Sequence, residues 1–445
     1  MQKAFLVGLL VLITVCYHAG GQRTVYFPVT SKAVQPPDRK EDFWIFGMAG
    51  QPVRPTGDPV VTAGFPGGNI RLVSIAEDTI RFAPDLAGTE GEWFYWNFRV
   101  SNVAGRTLTF QNVLENQFTT FGPAMSINDD KHWEWLGEGR VKNGAFTVTF
   151  SPRDTSARFC TAIPYTGSNL DEFLERLPPG PAPRVQTLAI SREGRKIESL
   201  LFPASTRDPV HRVLLTARHH ACEMMASFVL EGIMEGISLD PELSYLREHV
   251  EFLVVPFMDK DGVENGEQGK NRIPRDHNRD YEGASLYAST SALRDSIPGW
   301  SDGKLALALD LHCPWIRGEY NEWIYLVGSA EPAMEREQSQ FSGMIEKHNT
   351  GELKFRSQDF LPYNTAWNTG DNTSKGETFA RWAGSIEPVR LATTVEFPYG
   401  NILGTPVTMD NAREFGRSLA RAINEYLQAI SLTGRSAGPI DDRYH

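Results

Sequence analysis

Five apolar runs recur along the second half of the chain: Val210 to Thr216, Val250 to Phe257, Leu305 to Leu311, Trp323 to Val327 and Leu391 to Phe397. Most carry no polar interruption, a pattern that strands tolerate only when both faces of their sheet are covered. Helix-length segments lie between and after them, at Glu223 to Glu235, Pro332 to His348 and Asp410 to Ile430. That alternation predicts an α/β domain on a mixed sheet over residues 184–432. Upstream the rhythm is different. Trp93 to Val100, Arg106 to Val113, Ala145 to Phe150 and Arg158 to Ile163 are short, aromatic or β-branched, and alternate with polar residues, which predicts an antiparallel β-sandwich over residues 22–177. A short helix from Asn169 to Leu177 and the proline-rich joint Leu177-Pro-Pro-Gly-Pro-Ala-Pro183 separate the two. The polar tail, residues 433–445, is expected to fray.

Two domains also suit the length, because 445 residues exceed what one core usually holds. A net charge of −11 without any basic run argues against a nucleic-acid partner. Lys3, the apolar stretch Ala4 to Val15 and the small residues Ala19-Gly20-Gly21 read as a secretory signal over residues 1–21. A secreted or periplasmic protein is therefore expected. The stretch is too short to cross a bilayer, so no membrane span is expected. Loss of Cys16 with the signal would leave Cys160, Cys222 and Cys313, an odd number that cannot form a disulfide framework. A single Cys222–Cys313 bridge and buried free thiols both remain open.

Polar residues with metal-binding and catalytic chemistry cluster at the ends of the apolar runs. His220 and Glu223 stand three apart where a strand gives way to a helix, His312 follows the run ending at Leu311, and Glu396 stands near the end of the last. Two imidazoles and one carboxylate fill three positions of a tetrahedral Zn²⁺ and leave one for water, the composition of a catalytic site. One Zn²⁺ is therefore expected, with Glu396 placed to take a proton from that water. The segment Gly269-Lys-Asn-Arg-Ile-Pro-Arg-Asp-His-Asn-Arg-Asp-Tyr281 adds Arg272 as a cation for a developing oxyanion. Asn278 and Arg279 form a forked donor set suited to gripping a carboxylate.

These ordered segments resemble the zinc metallocarboxypeptidases. Trp93-Phe-Tyr-Trp-Asn-Phe-Arg-Val-Ser-Asn102 and Arg158 to Leu177 are similar to the β-sandwich of the cytosolic carboxypeptidase-like branch. The resemblance implies that His220, Glu223 and His312 hold zinc and that Glu396 is the general base. It further implies that Asp276 orients His220 and that Arg272 polarises the scissile carbonyl. Two departures stand out. Only five residues separate Arg272 from Asn278, which makes Arg275 a competitor for the oxyanion and substrate-binding role. The tyrosine that usually closes over substrate some twenty residues before the base is absent, with Tyr363 and Trp367 further upstream. A cis peptide at Cys313-Pro314 is expected by analogy with the bond after this histidine in relatives.

The expected activity is hydrolysis of the last peptide bond of a peptide with a free C-terminus. Export would put tubulin tails, the substrates of intracellular relatives, out of reach. Lys375 or Arg381 could favour acidic terminal side chains. One alternative keeps the metal but cleaves N-acyl amino acids or peptidoglycan stem peptides. The other is a non-catalytic protein that binds glycan or peptide.

Overall fold

The computed structural model describes residues 57–436, apart from residue 115 and residues 179–181. The expected signal segment, residues 1–21, lies outside the described residues, as do residues 22–56 of the expected sandwich. All described residues belong to one compact unit.

The strand-rich part contains β1 (Val60–Thr62), β2 (Arg71–Ala76), β3 (Thr79–Ala83), β4 (Asn97–Ser101), β5 (Thr107–Asn112), β6 (Ala124–Ile127), β7 (Glu134–Trp135), β8 (Ala145–Thr149) and β9 (Ser156–Cys160). They form a five-stranded sheet, β1-β4-β9-β6-β7, and a four-stranded sheet, β2-β3-β5-β8. Along β5 and β8 every second residue is buried, as expected of strands with one wet face. The buried set builds an aromatic core around Trp96, Phe98, Phe110, Phe146 and Phe159, with the Phe110 and Phe159 rings 4.6 Å apart. One pair departs from the antiparallel expectation: β3 and β5 run parallel. The intervening β4 crosses to the other sheet, so the chain returns in the same direction.

The helix α1 (Gly167–Arg176) follows, then β10 (Arg184–Ile190), β11 (Lys196–Phe202), β12 (His211–Ala217), α2 (Met224–Leu239), α3 (Ser244–His249), β13 (Val250–Val255) and α4 (Lys260–Asn265). The last elements are α5 (Ala288–Ser301), β14 (Leu305–His312), β15 (Tyr325–Leu326), α6 (Pro332–His348), α7 (Phe379–Gly384), β16 (Leu391–Glu396) and α8 (Met409–Ser436), with a small hairpin before α8. Seven strands make one mixed sheet, β10-β11-β13-β12-β14-β16-β15. Its central strands β13, β12, β14 and β16 are parallel, and all eight residues of β14 are buried.

Strand alternation splits the apolar side chains between two layers. Val213, Leu215, Leu307 and Leu309 pack towards α2, α6 and α8, whereas Leu214, Leu253, Leu305 and Ala308 pack towards α5 and α7. The helix α2 is buried on nearly all sides because α8 covers its outer face. Gly232 and Gly416 permit that approach, since a Cβ on either would lie about 2 Å from a backbone carbonyl oxygen of the other helix.

Two features differ from expectation. The larger core continues across the proline-rich joint, joining Phe94, Tyr95, Ile163, Leu170 and Phe173 to residues of α2 and the mixed sheet. Helix α1 thus packs with the second part, although it precedes the joint. At the other end α8 continues to Ser436, into the segment expected to fray from residue 433, because no proline stops it before Pro439.

Candidate metal centre

The parallel strands end on one edge, and the site is assembled there. The turn after β12 carries His220 and ends at Glu223, the residue capping α2. His312 is the last residue of β14 and Glu396 the last of β16, and the strand register places them side by side. The segment after α4 brings Asp276, Asn278 and Arg279 to the same edge. His220, Asp276, Asn278, Arg279, His312 and Glu396 all border one cavity of about 680 Å³.

One atom from each of His220, Glu223 and His312 lies within 4.8 Å of the other two, and all three residues are buried. His220 Nε2 is 3.1 Å from Asp276 Oδ1, and His312 Nε2 is 2.6 Å from Asp310 Oδ2. With each Nε2–H directed at a carboxylate, both Nδ1 atoms present lone pairs. Those two nitrogens stand 3.1 Å apart, and Glu223 approaches them at 2.9 and 2.8 Å. Several acceptors therefore converge on one point. Glu223 Oε2 and Glu396 Oε2 are also buried without hydrogen-bond partners among the described residues. This donor set fits a divalent cation, and two nitrogens with a carboxylate suit zinc.

The electrostatics follow from burial and close charges. Burial raises the pKa of Glu223, but Lys270, His220 and His312 more than offset it and hold the carboxyl well below its ordinary range. Glu396 has the opposite balance: burial keeps its carboxyl above the ordinary range despite His312 and Lys270 nearby. Cys222 and Cys313, beside these ligands, are free and buried, as is Cys160. No Cys222–Cys313 bridge forms. The Cys313-Pro314 bond is also not cis, since the cis bonds precede Pro274 and Pro388.

The expected cation for the oxyanion is not where the motif put it. Arg272 turns away from the cavity to pair with Asp259 and with Glu267 at 2.5 Å, and Arg275 pairs with Asp280 at 2.9 Å. Neither borders the cavity. The physical reason is competition, because carboxylates claim both guanidinium groups, Asp259 and Glu267 from upstream of the segment and Asp280 from within it. Arg272→Met should therefore act on stability, costing about 3–5 kcal/mol by stranding the Asp259 carboxylate. Urea unfolding would register that loss, while turnover per folded molecule stays at the wild-type level.

Lys270 is a cation of the same segment that does reach the cavity. Its Nζ lies 2.5 Å from Glu223 Oε1 and 3.0 Å from the Cys313 carbonyl oxygen, and it borders the cavity. Burial disfavours its charge, but Glu223 and Glu396 hold the ammonium above its ordinary range. Gly269 makes the position possible, since its φ is +77° and a Cβ there would lie 2.2 Å from the Ala221 nitrogen. Sequence reasoning missed Lys270, and its adjacency to that glycine was the available signal. It also missed Tyr325, read only as part of an apolar run, whose register partner is Glu396. Tyr325, Tyr363 and Trp367 all border the cavity where the usual cleft tyrosine is missing, and Trp367 Nε1 donates to the Tyr325 hydroxyl at 3.3 Å. On the same wall Arg279 is steadied by Asn372, while Asn278 accepts from the Phe379 backbone at 2.8 Å.

Sheet, strand-end donor set and cavity together define a metallopeptidase of the zinc-carboxypeptidase class. Residues 61–161 match the cytosolic carboxypeptidase N-terminal domain, and residues 179–298 match the zinc carboxypeptidase domain. The chain is thus similar to the zinc carboxypeptidases, and its N-terminal part to their cytosolic carboxypeptidase branch. Mouse cytosolic carboxypeptidase 3 is 26% identical over 54% of this chain, and mouse cytosolic carboxypeptidase 6 is 24% identical over 88% of it. The chain spans only 26% of the first relative's length and 77% of the second's. A metallo-carboxypeptidase from Pseudomonas aeruginosa shares the fold, with a TM-score of 0.68 and 21% identity over 83% of this chain and 99% of that one.

These matches overturn the expectation of a secreted or periplasmic protein. The N-terminal match is to the domain of cytosolic carboxypeptidases, and the two mouse relatives are cytosolic by name. A lysine before a short apolar stretch is a compositional signal only, and it carries no information from the folded part. Among the described residues no helix is long and apolar enough to cross a membrane.

Proposed function

We propose that this chain is a zinc-dependent carboxypeptidase that removes the C-terminal residue of peptides. The observation carrying this reading is the convergence of His220, Glu223 and His312 on one point of a cavity that Glu396 and Arg279 also border. His220, Glu223 and His312 would hold the metal, with Asp276 orienting His220 through Nε2. When bound, the cation supplies Lewis-acid activation of a water and of the scissile carbonyl.

The chain's own groups do the rest. Glu396 takes the proton of the attacking water at its unpartnered Oε2 and returns it to the leaving amine. Lys270 supplies positive charge where the carbonyl oxygen becomes anionic. Arg279 and Asn278 hold the terminal carboxylate, Arg279 pre-set by its bonds to Asn372. Arg381, which also borders the cavity, favours an acidic terminal side chain. Because the expectation of export does not stand, acidic protein tails are no longer excluded as substrates.

Mass spectrometry of a peptide library, digested with and without chelator, tests this reading. Ladders shortened one residue at a time should appear, strongest for terminal Asp or Glu, and vanish with chelator or C-terminal amidation. Release of acyl groups from blocked amino acids in place of ladders would favour a deacylase. Internal cleavage, or no metal-dependent product at all, would overturn the proposal.

A further inference from the structure

Behind His312 lies a line of buried polar groups that the proposed chemistry does not use. The Tyr281 hydroxyl is 2.7 Å from His219 Nε2, His219 Nδ1 is 2.9 Å from Asp310 Oδ1, and Asp310 Oδ2 is 2.6 Å from His312 Nε2. Thr216 Oγ1 donates to Asp310 Oδ1 at 2.8 Å. Every member is 0–2% exposed, so water cannot replace a missing partner.

We propose that Tyr281, His219 and Asp310 are positioning residues whose directional hydrogen-bond chain sets the tautomer of His312 and its hold on the metal. The inference rests on the reading of His312 as a ligand. With both imidazoles neutral, the state in which a histidine ligates a metal, donor and acceptor inventory leaves one consistent assignment. An ionised Asp310 only accepts, so it draws Nδ1–H from His219 and Nε2–H from His312. A neutral His219 then has only Nε2 left as acceptor, and the Tyr281 hydroxyl donates to it. His312 Nδ1 is left as a lone pair facing Glu223 and His220. Asn278 Nδ2 also approaches His312 Nε2, but at 3.3 Å it is the weaker contact beside the carboxylate at 2.6 Å.

The far end of the chain is anchored by packing. Tyr281 lies against Phe379 and Trp382 of α7, with ring centroids 5.7 and 5.1 Å away, and it follows Asn278 and Arg279 by a few residues. The segment proposed to grip substrate therefore also carries the group that orients the ligand. His219, the residue next to His220 in sequence, lies behind the site.

The test uses the full chain, stripped of metal and titrated with zinc against a chelating dye, together with ¹⁵N spectra of its histidines. Asp310→Asn should weaken zinc binding by roughly 10–100-fold, the usual effect of losing a group that backs a ligand. In the metal-free protein, at a pH high enough to leave His312 neutral, it should also remove the dominance of the Nε2–H form. Thr216→Val removes a bond to Asp310 without touching an imidazole, and it should lower stability while leaving zinc affinity near wild type. Tyr281→Phe keeps the ring packing and should move the ¹⁵N resonance of His219 Nε2, which loses its donor, with a smaller loss of affinity. It carries the test if Asp310→Asn does not fold. Unchanged affinity and unchanged imidazole ¹⁵N shifts in the variant that folds, or an equal loss in Thr216→Val, would overturn the chain. Failure of the wild type to bind zinc would instead overturn the site reading, and the tautomer spectra would still decide the chain.

Discussion

Glu396→Gln should lower kcat by about 10²–10⁴-fold, the range for losing a positioned general base, with one zinc still bound per chain. The substitution is nearly isosteric, so geometry is kept and only proton acceptance is lost. A structural role for this carboxylate would need a paired base, for which Arg390, just before the same strand, is the nearby choice in sequence. That arginine instead reaches Glu337 at 2.9 Å, and Glu396 Oε2 has no hydrogen-bond partner among the described residues. Burial holds the carboxyl above its ordinary range, which brings a base closer to neutral pH. A buried carboxylate with an oxygen lacking a hydrogen bond also costs stability, so the metal-free glutamine variant should melt no lower than wild type. Stopped-assay kinetics, metal analysis and calorimetry check the three parts. Retained turnover in a zinc-loaded variant would exclude Glu396 as the base.

The second large effect belongs to Lys270. Lys270→Met should lower kcat by about 10²–10³-fold, comparable to removing one donor to a developing oxyanion. Zinc affinity should hold or rise, because a cation 2.5 Å from Glu223 Oε1 opposes binding of another cation to that carboxylate. A lysine that merely supported the Glu223 turn would behave differently, and its loss would weaken metal binding and activity together. Measuring the zinc dissociation constant beside kcat separates the two. Arg272→Met is the internal control, since its guanidinium is committed to Asp259 and Glu267.

What could be read in advance follows from which forces are local. The strands β12, β14 and β16 announce themselves, because burial on both faces demands long apolar runs. Their parallel order places His220, His312 and Glu396 on one edge. Asp276 reaches His220 from a segment whose spacing is rigid and short. Side-chain direction is another matter. Arg272 and Lys270 stand two residues apart with the same charge, and the pairing of Arg272 with Asp259 and Glu267, which no motif spacing announces, leaves Lys270 to face the cavity. The chain Tyr281-His219-Asp310 was hidden for the same reason, since its members come from three segments and none bears a spacing to the others. Packing across the joint was equally invisible, because a proline-rich stretch reads as a boundary whether or not apolar residues meet around it.

The shared core around that joint bears on how selectivity could arise. Trp93, from the strand-rich part, borders the cavity and packs against Trp315, which follows His312 by three residues, with ring centroids 5.0 Å apart. Apolar contacts continuous from Phe94 and Phe173 to α2 hold that tryptophan in a fixed place. The first part is thus a permanent side of the vestibule and no detachable accessory, so excising it would unroof the catalytic half and expose its oily flank at one stroke.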